Sequence, residues 1–172
     1  MRMRSAWIAL VMLLLWPSLP TAKAAAPPLH DLSLARIDQP GRGHIALGSY
    51  RGRPLLLLLF DDQCRYCLQA LTAADALAHE ENADWSLLAV GVGSSARALN
   101  AWAQRVRPKV PVTQADKRLL ARIGGVSATP LLVVVDAEGR VVRRVLGALD
   151  QAALRQLLCE VLGDDSRAHR EA

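Results

Sequence analysis

The chain has 172 residues, 52% of them hydrophobic, and a formal net charge of +5. That length suits one domain with a hydrophobic core of its own. Aromatic residues make up only 4% of the chain and the basic residues are scattered, so the composition gives no support to nucleic-acid binding.

The first 24 residues have the layout of a secretory signal peptide. Arg2 and Arg4 precede an apolar run from Ala6 to Trp16, and the stretch Ala22 to Ala24 offers the small residues of a cleavage site. A run of this length is too short to cross a bilayer core, which needs about 20 residues. An uncleaved membrane anchor stays open as the alternative.

Cleavage after residue 24 predicts an exported, periplasmic domain over residues 25–163, followed by a polar tail over residues 164–172. The leader carries three basic residues and no acidic one, so the formal net charge of the mature chain falls from +5 to +2. Outside the cytosol disulfides persist, so the cysteines of an exported chain can form stable disulfide bonds.

The first part of the mature chain predicts a hairpin followed by a buried strand. Asp31 to Ile37 alternates apolar and polar residues, and His44 to Leu47 follows after a turn rich in glycine. Leu55 to Phe60 is an unbroken apolar run, as in a strand buried on both faces. From Cys67 to Ala78 apolar residues recur every three or four positions, which predicts a helix.

The second part alternates strands with helices. Ser86 to Val92 and Leu131 to Val135 predict two more buried strands, Val110 to Val112 a short edge strand, and Val141 to Val145 a hairpin partner. The predicted N-caps of three helices are Ser95, Asp116 and Asp150. This order predicts an α/β domain with a mixed central sheet flanked by helices and an added N-terminal β-hairpin.

The cysteines indicate chemistry rather than a structural framework. Cys64 and Cys67 form a CxxC pair, and Cys159 is the only other cysteine. Structural zinc needs four ligands, and no second CxxC or histidine pair accompanies these two. Haem attachment needs a histidine after the second cysteine, where Leu68 stands. A disulfide closing so small a ring constrains little chain entropy, so a redox-active dithiol fits best.

The predicted junction of strand and helix gives the two thiols different roles. At the helix N-terminus the macrodipole lowers the pKa of the Cys64 thiol and makes it the attacking nucleophile. Arg65 adds a neighbouring cation and Tyr66 covers one flank. Cys67, one turn further in, is predicted to be buried and to resolve a mixed disulfide. Arg65 and Tyr66, which lie between the two cysteines, are predicted to help position a substrate.

Thr129 and Pro130 stand immediately before the predicted strand Leu131 to Val135. A proline that opens a central strand gives up a ladder hydrogen bond. The residues alone leave two interpretations open, a simple strand-start proline or a cis peptide bond that presents the backbone of Thr129 to a substrate chain.

These motifs together resemble the exported TlpA/ResA/DsbE type of thioredoxin-fold thiol–disulfide oxidoreductase. The matching stretches are Ser49 to Leu55, Cys64-Arg65-Tyr66-Cys67, Ile123 to Pro130, and Asp136 to Val141 with Gly147. The resemblance implies a thioredoxin-like fold, a cis bond at Pro130, protein thiol and disulfide clients, a membrane electron donor and no cofactor. It also implies a reductant that serves cytochrome c maturation or copper-site assembly, acting as a monomer.

The sequence departs from the family pattern at several positions. Phe60-Asp61-Asp62-Gln63 replaces an aromatic-rich lead-in, and the two carboxylates oppose the helix dipole at Cys64. Leu58 stands where thioredoxins carry a buried acid. Cys159 lies between Leu158 and Val161 and is predicted to be a small buried hydrophobe.

A second function class stays open beside the enzyme. The fold could serve as a binding module, or the two thiolates could hold Cu(I), for which thiolate is a suitable ligand. No methionine or histidine motif accompanies the pair, and no metal site is predicted.

Overall fold

A computed structural model describes residues 26–168 except 40, 42 and 82. The predicted signal peptide lies outside the described residues. Within the part that is described, no helix has both the length and the apolar character needed to span a membrane.

The described residues form seven strands and four α-helices. The strands are β1 (Ser33–Ala35), β2 (His44–Ala46), β3 (Leu55–Phe60), β4 (Ser86–Gly91), β5 (Val112–Gln114), β6 (Leu131–Val135) and β7 (Val141–Leu146). The helices are α1 (Arg65–Ala78), α2 (Ala96–Val106), α3 (Lys117–Arg122) and α4 (Gln151–Ala168). Short 3-10 turns occupy Leu29–Asp31 and Leu47–Tyr50.

The central sheet is mixed, with the strand order β5-β4-β3-β6-β7. β3 pairs in parallel with β4 and antiparallel with β6, and β6 and β7 form an antiparallel hairpin. β1 and β2 form a separate antiparallel pair, in which Ser33 lies opposite Ala46. This confirms the predicted α/β architecture with a mixed sheet and an N-terminal hairpin.

Alternate residues of β3 enter two separate hydrophobic cores, because successive side chains of a strand point to opposite faces. Leu56, Leu58 and Phe60 pack against α1, α2 and α4. The ring of Phe60 lies 4.2 Å from that of Trp102, between centroids. Leu55, Leu57 and Leu59 face α3 and the leucines of the N-terminal hairpin. Burial on both faces explains why this strand is an unbroken apolar run.

Several predicted boundaries shift. The strand predicted over Asp31 to Ile37 is shorter, because Leu29–Asp31 form a 3-10 turn. β5 begins at Val112 rather than at Val110, because Pro111 has no N–H to donate to the ladder and contributes only its carbonyl oxygen, which accepts from Ala89 N–H (3.1 Å). α4 continues through residues 164–168, which the sequence assigns to a polar tail.

The prediction that Cys159 is buried is wrong. Its side chain is exposed, whereas Leu154 and Leu158 of the same helix are buried. A helix turns by about 100° per residue, so the residue after Leu158 lies at the edge of the packed face, where Cys159 lines an open cavity with Leu77 and Trp85.

Candidate functional site

The CxxC pair lies where β3 ends and α1 begins. Cys64 is the N-cap of α1, and its backbone is extended rather than helical. Cys67 is in the first turn of the helix and only 1% exposed, whereas Cys64 is partly exposed. The two sulfurs are joined in a disulfide, with Cα atoms 5.3 Å apart. The unequal exposure predicted for the two thiols is present.

One backbone donor contacts the sulfur of Cys64, and a second bond holds the backbone of Cys64 itself. The N–H of Cys67 points to Cys64 Sγ at 3.2 Å, in the way a serine or aspartate side chain accepts at a helix N-cap. The N–H of Cys64 itself donates to the carbonyl oxygen of Asp61 at 3.1 Å. In the reduced protein, a thiolate at this position would accept the same Cys67 donor and would lie at the positive end of α1.

The two aspartates before the CxxC converge on Ser94, in the loop that leads from β4 to α2. The hydroxyl of Ser94 lies 3.2 Å from Asp61 Oδ2 and also contacts Asp62 Oδ1. The other oxygen of Asp61 accepts from Gln63 N–H at 2.9 Å. Because the Ser94 hydroxyl has one hydrogen, it donates to one of the two carboxylates at a time, whereas Asp61 keeps the Gln63 N–H as a donor in either case.

Arg65 and Tyr66 contact each other on the outer surface of α1. The guanidinium carbon of Arg65 lies 5.1 Å from the centre of the Tyr66 ring, a cation–π arrangement. Tyr66 is 55% exposed. Arg65 lines a shallow groove with Leu68 and Asp150, apart from the cleft described next.

The peptide bond between Thr129 and Pro130 is cis. Pro130 is buried, and its carbonyl oxygen accepts from Gly147 N–H at 2.8 Å, so β7 holds the start of β6 in place. Thr129 and the preceding residues form one wall of an open cleft of about 500 Å³, which Cys64 also lines. The structure therefore brings the first cysteine and the Thr-Pro segment to one cleft.

A glycine pair positions that wall. Gly124 and Gly125 both have positive φ, 79° and 77°, and they end α3. The guanidinium of Arg144, on β7, donates to the carbonyl oxygens of both glycines, at 2.7 Å for Gly125. A Cβ on Gly124 would lie 2.9 Å from this guanidinium, so a side chain there would displace Arg144.

Leu58 is completely buried in the middle of β3, between Ala89 and Leu132 of the neighbouring strands. The resemblance to thioredoxins implies a buried acid at this position. The strand beneath Cys67 therefore supplies no carboxyl group from that position.

Two residues of the site were missed by the sequence analysis. Ser94 was given no role and Arg144 fell only within the predicted hairpin strand, and both contact the site across long sequence separations. No local pattern marks them, since a serine in a loop and an arginine on an edge strand are both common. A glycine pair after an apolar segment is a local signal for the end of a helix, but nothing local indicates the arginine that binds Gly124 and Gly125.

Comparison with known proteins places the chain in a family. The model of the thioredoxin-like domain family matches residues 49–162, from the turn before β3 to the middle of α4. The chain belongs to the thioredoxin-like domain family. No curated protein sequence gave a significant match.

Solved structures of the same fold include an exposed lipoprotein thioredoxin, Etrx1, from Streptococcus pneumoniae. It is 27% identical, covering 76% of this chain and 98% of its own, with a TM-score of 0.66. A putative thiol:disulfide interchange protein DsbE from Chlorobium tepidum is 20% identical over 80% of this chain and 97% of its own, with a TM-score of 0.66.

A third structure is a secreted Mycobacterium tuberculosis disulfide oxidoreductase described as homologous to Escherichia coli DsbE. It is 17% identical over 73% of this chain and 92% of its own, with a TM-score of 0.60. The thioredoxin-like fold and family that the motifs indicate are confirmed. Family membership and the Cys64–Cys67 pair together identify this thioredoxin-like chain as a thiol–disulfide oxidoreductase.

Proposed function

We propose that the protein is an exported oxidoreductase that reduces disulfides in protein clients, with Cys64 as the attacking and Cys67 as the resolving cysteine. One observation carries the proposal. Cys64 is partly exposed on a cleft that it shares with Thr129, and its sulfur faces the N–H of Cys67, while Cys67 itself is buried.

The reaction transfers two electrons in two exchange steps. The Cys64 thiolate attacks one sulfur of a client disulfide, which forms a mixed disulfide and releases the first client thiolate. Cys67, after losing its proton, attacks Cys64 Sγ and expels the second client thiolate. The client is then a dithiol, and the protein holds the Cys64–Cys67 disulfide present in the structure.

The cleft supports a backbone-mediated contact with the client. Thr129 lines the same cleft as Cys64, and the carbonyl oxygen of the adjacent Pro130 is anchored by Gly147 N–H at the end of β7. An extended client segment that pairs with the Thr129 backbone would bring its disulfide to Cys64. Arg65 and Tyr66 are assigned a secondary positioning role, because they lie on the outer surface of α1.

Export and the type of pathway are part of the proposal. The signal-peptide layout of residues 1–24 supports export, as do the exposed and secreted proteins that share the fold. Clients of the cytochrome c maturation or copper-site assembly type, and a membrane protein as electron donor, follow from the resemblance to the DsbE type.

A trapping variant tests the roles of the two cysteines. Cys67→Ser in a Cys159→Ser background leaves Cys64 as the only thiol, and it is expected to accumulate mixed disulfides with exported proteins. Cys64→Ser in the same background is the matched control, and it is expected to trap far fewer because its remaining thiol is buried. Equal trapping by both variants, or none by either, would contradict the assignment.

The reduction potential of the Cys64–Cys67 couple tests the direction of electron flow. A value near that of thioredoxin, about −270 mV, is expected for a reductant, and one near about −120 mV would indicate an oxidant. Reduction of insulin by the reduced protein is the matching activity measurement.

A further inference from the structure

We propose that Asp61 is a specificity-determining residue, which selects clients that carry a basic side chain next to the attacked cysteine. The inference rests on the proposed function, because it concerns the clients of the Cys64 cleft. The inference adds to the proposed function the charge of the client side chains that the cleft favours.

Asp61 supplies the only charged side chain among the described residues that line the cleft, apart from the Cys64 sulfur when it is reduced. Its neighbours there are small, apolar or neutral polar residues, among them Gln63, Ser127 and Thr129. The lining itself therefore contributes a negative charge through Asp61, while the nearby guanidinium of Arg144 is bound to the carbonyl oxygens of Gly124 and Gly125.

The carboxylate of Asp61 is held in a fixed orientation. Oδ1 accepts from Gln63 N–H at 2.9 Å, and Oδ2 lies 3.2 Å from the Ser94 hydroxyl. The Gln114 side chain donates to the backbone oxygen of Ser94 at 3.0 Å and so fixes that partner. A carboxylate has about four acceptor positions, so roughly two stay open for a client donor. A group fixed in advance loses little entropy on binding.

No basic side chain of the described residues forms an ion pair with Asp61. The cation nearest in sequence, Arg65, lies over the Tyr66 ring and faces the other groove. Asp61 is also partly buried, which weakens solvent screening relative to a fully exposed carboxylate. The negative charge in the cleft is thus available to a charge that the client brings.

A client segment that reaches Cys64 has to pass within this field. Lysine or arginine beside the client cysteine is attracted, whereas aspartate or glutamate is repelled. Attraction between partly exposed charges changes affinity by about two- to fivefold, and repulsion of the wrong charge adds to the discrimination. We expect a preference of about five- to tenfold for basic over acidic clients, in the second-order rate constant for reduction.

The test uses the reduced full-length mature protein and three short peptides, each a symmetric disulfide-linked dimer. The peptides differ only in the residues flanking cysteine, which are arginine, glutamine or glutamate. Flanking charges also change the intrinsic reactivity of a disulfide. Each rate is therefore divided by the rate at which dithiothreitol reduces the same peptide under the same conditions.

Two variants with the same change in net charge separate a local effect from a general one. Asp61→Asn removes the charge in the cleft, and Asp84→Asn removes an exposed charge at the opposite end of β4, away from the cleft lining. Asp61→Asn is expected to lower the normalised arginine-to-glutamate ratio at least threefold. The Asp84→Asn variant is expected to keep the wild-type ratio, and Asp61→Glu is expected to restore most of it.

A merely structural role of Asp61, or an effect on Cys64 reactivity, would change all three peptide rates by the same factor and leave the ratio unchanged. A wild-type ratio near one, or a high ratio that persists in Asp61→Asn, would overturn the inference while leaving the proposed function intact. A wild-type protein that reduces none of the peptides would overturn both. Raising the salt to about 0.5 M, where the Debye length is roughly 4 Å, is expected to weaken the preference.

Discussion

Cys64 and Cys67 have unequal surroundings because one residue caps a helix and the other lies inside it. The capping position leaves the sulfur of Cys64 partly exposed and in contact with a backbone donor. Cys67, in the first turn of α1, packs against the core. It lies over β3, in which Leu58 is apolar and completely buried. The division between attacking and resolving thiol therefore follows from three positions of spacing on a helix N-terminus.

Cys159 belongs to a different class of cysteine. It is exposed on α4, and Arg155 lies one turn before it in the sequence. Because Cys64 and Cys67 are joined, it is the only free thiol of the oxidised chain.

Thiol titration of the oxidised protein tests this assignment at the residue scale. We expect one thiol per chain to react rapidly under native conditions with an aromatic disulfide reagent, because thiol reactivity requires access to solvent. The Cys159→Ser variant is expected to show none, and prior reduction is expected to add two thiols to either protein. A free thiol that reacts only after denaturation would contradict the exposure of Cys159.

Side-chain caps define the starts of the helices. Ser95, Asp116 and Asp150 each accept from the backbone N–H three residues later, at 3.2, 2.7 and 2.8 Å. These three caps were predicted from the sequence, since a serine or aspartate before an apolar periodic segment is a local signal. The cap of α3 is the shortest of the three.

Loss of the α3 cap is predicted to destabilise the protein. Asp116→Ala is expected to lower the free energy of unfolding by about 1 kcal/mol, because it removes the acceptor for Leu119 N–H. Urea unfolding of the oxidised protein measures the change. Lys117→Ala, next to the cap and exposed, is the control and is expected to change stability by less than about 0.5 kcal/mol. Equal effects of the two substitutions would show that the cap contributes nothing of its own.

Elements with a complete local signal could be predicted, and those fixed by distant contacts could not. The limits of β3 and β6 match their apolar runs, because these strands are buried on both faces. β1 was predicted too long, since the turn at Leu29–Asp31 is set by tertiary contacts.

The residues of the site likewise divide into those with a local signal and those fixed by distant contacts. The CxxC and the Thr-Pro pair are local motifs, whereas Ser94 reaches Asp61 across 33 residues.

At the scale of the whole molecule, the N-terminal segment ties together parts that are distant in sequence. The N–H of Leu29 donates to the Gly139 carbonyl oxygen at 2.7 Å, in the turn between β6 and β7. Asp31 forms ion pairs with Arg118 and Arg122 of α3. The β6–β7 hairpin and α3 are thus held by the segment Leu29–Asp31, of which only Asp31 was predicted to belong to a strand.

His30 lies at the centre of this segment. Its ring packs on Gly139, where an added Cβ would come within 2.8 Å of it, and Arg51 Nε donates to its Nδ1 at 3.2 Å. Burial, followed by the nearby charge of Arg51, lowers the pKa of His30 below its ordinary 6.5, although Asp136 and Glu138 act in the opposite direction. Protonation of the ring would also remove the acceptor that Arg51 uses.

The lowered pKa of His30 predicts a loss of stability in mild acid. Above pH 6.5 the ring is neutral in both states and its contribution is complete. As the pH falls through 6.5, the unfolded chain takes up the proton first, so the free energy of unfolding decreases until the folded pKa is passed. Urea unfolding at several values between about pH 8 and about pH 5 is expected to show this decrease in the wild type and a smaller one in His30→Gln. Because both proteins keep the other histidines, their contribution to the pH dependence cancels in the comparison. Asp31 stays ionised above about pH 5, since Arg122 lowers the pKa of that carboxyl. The same slope in both proteins would contradict a contribution from His30.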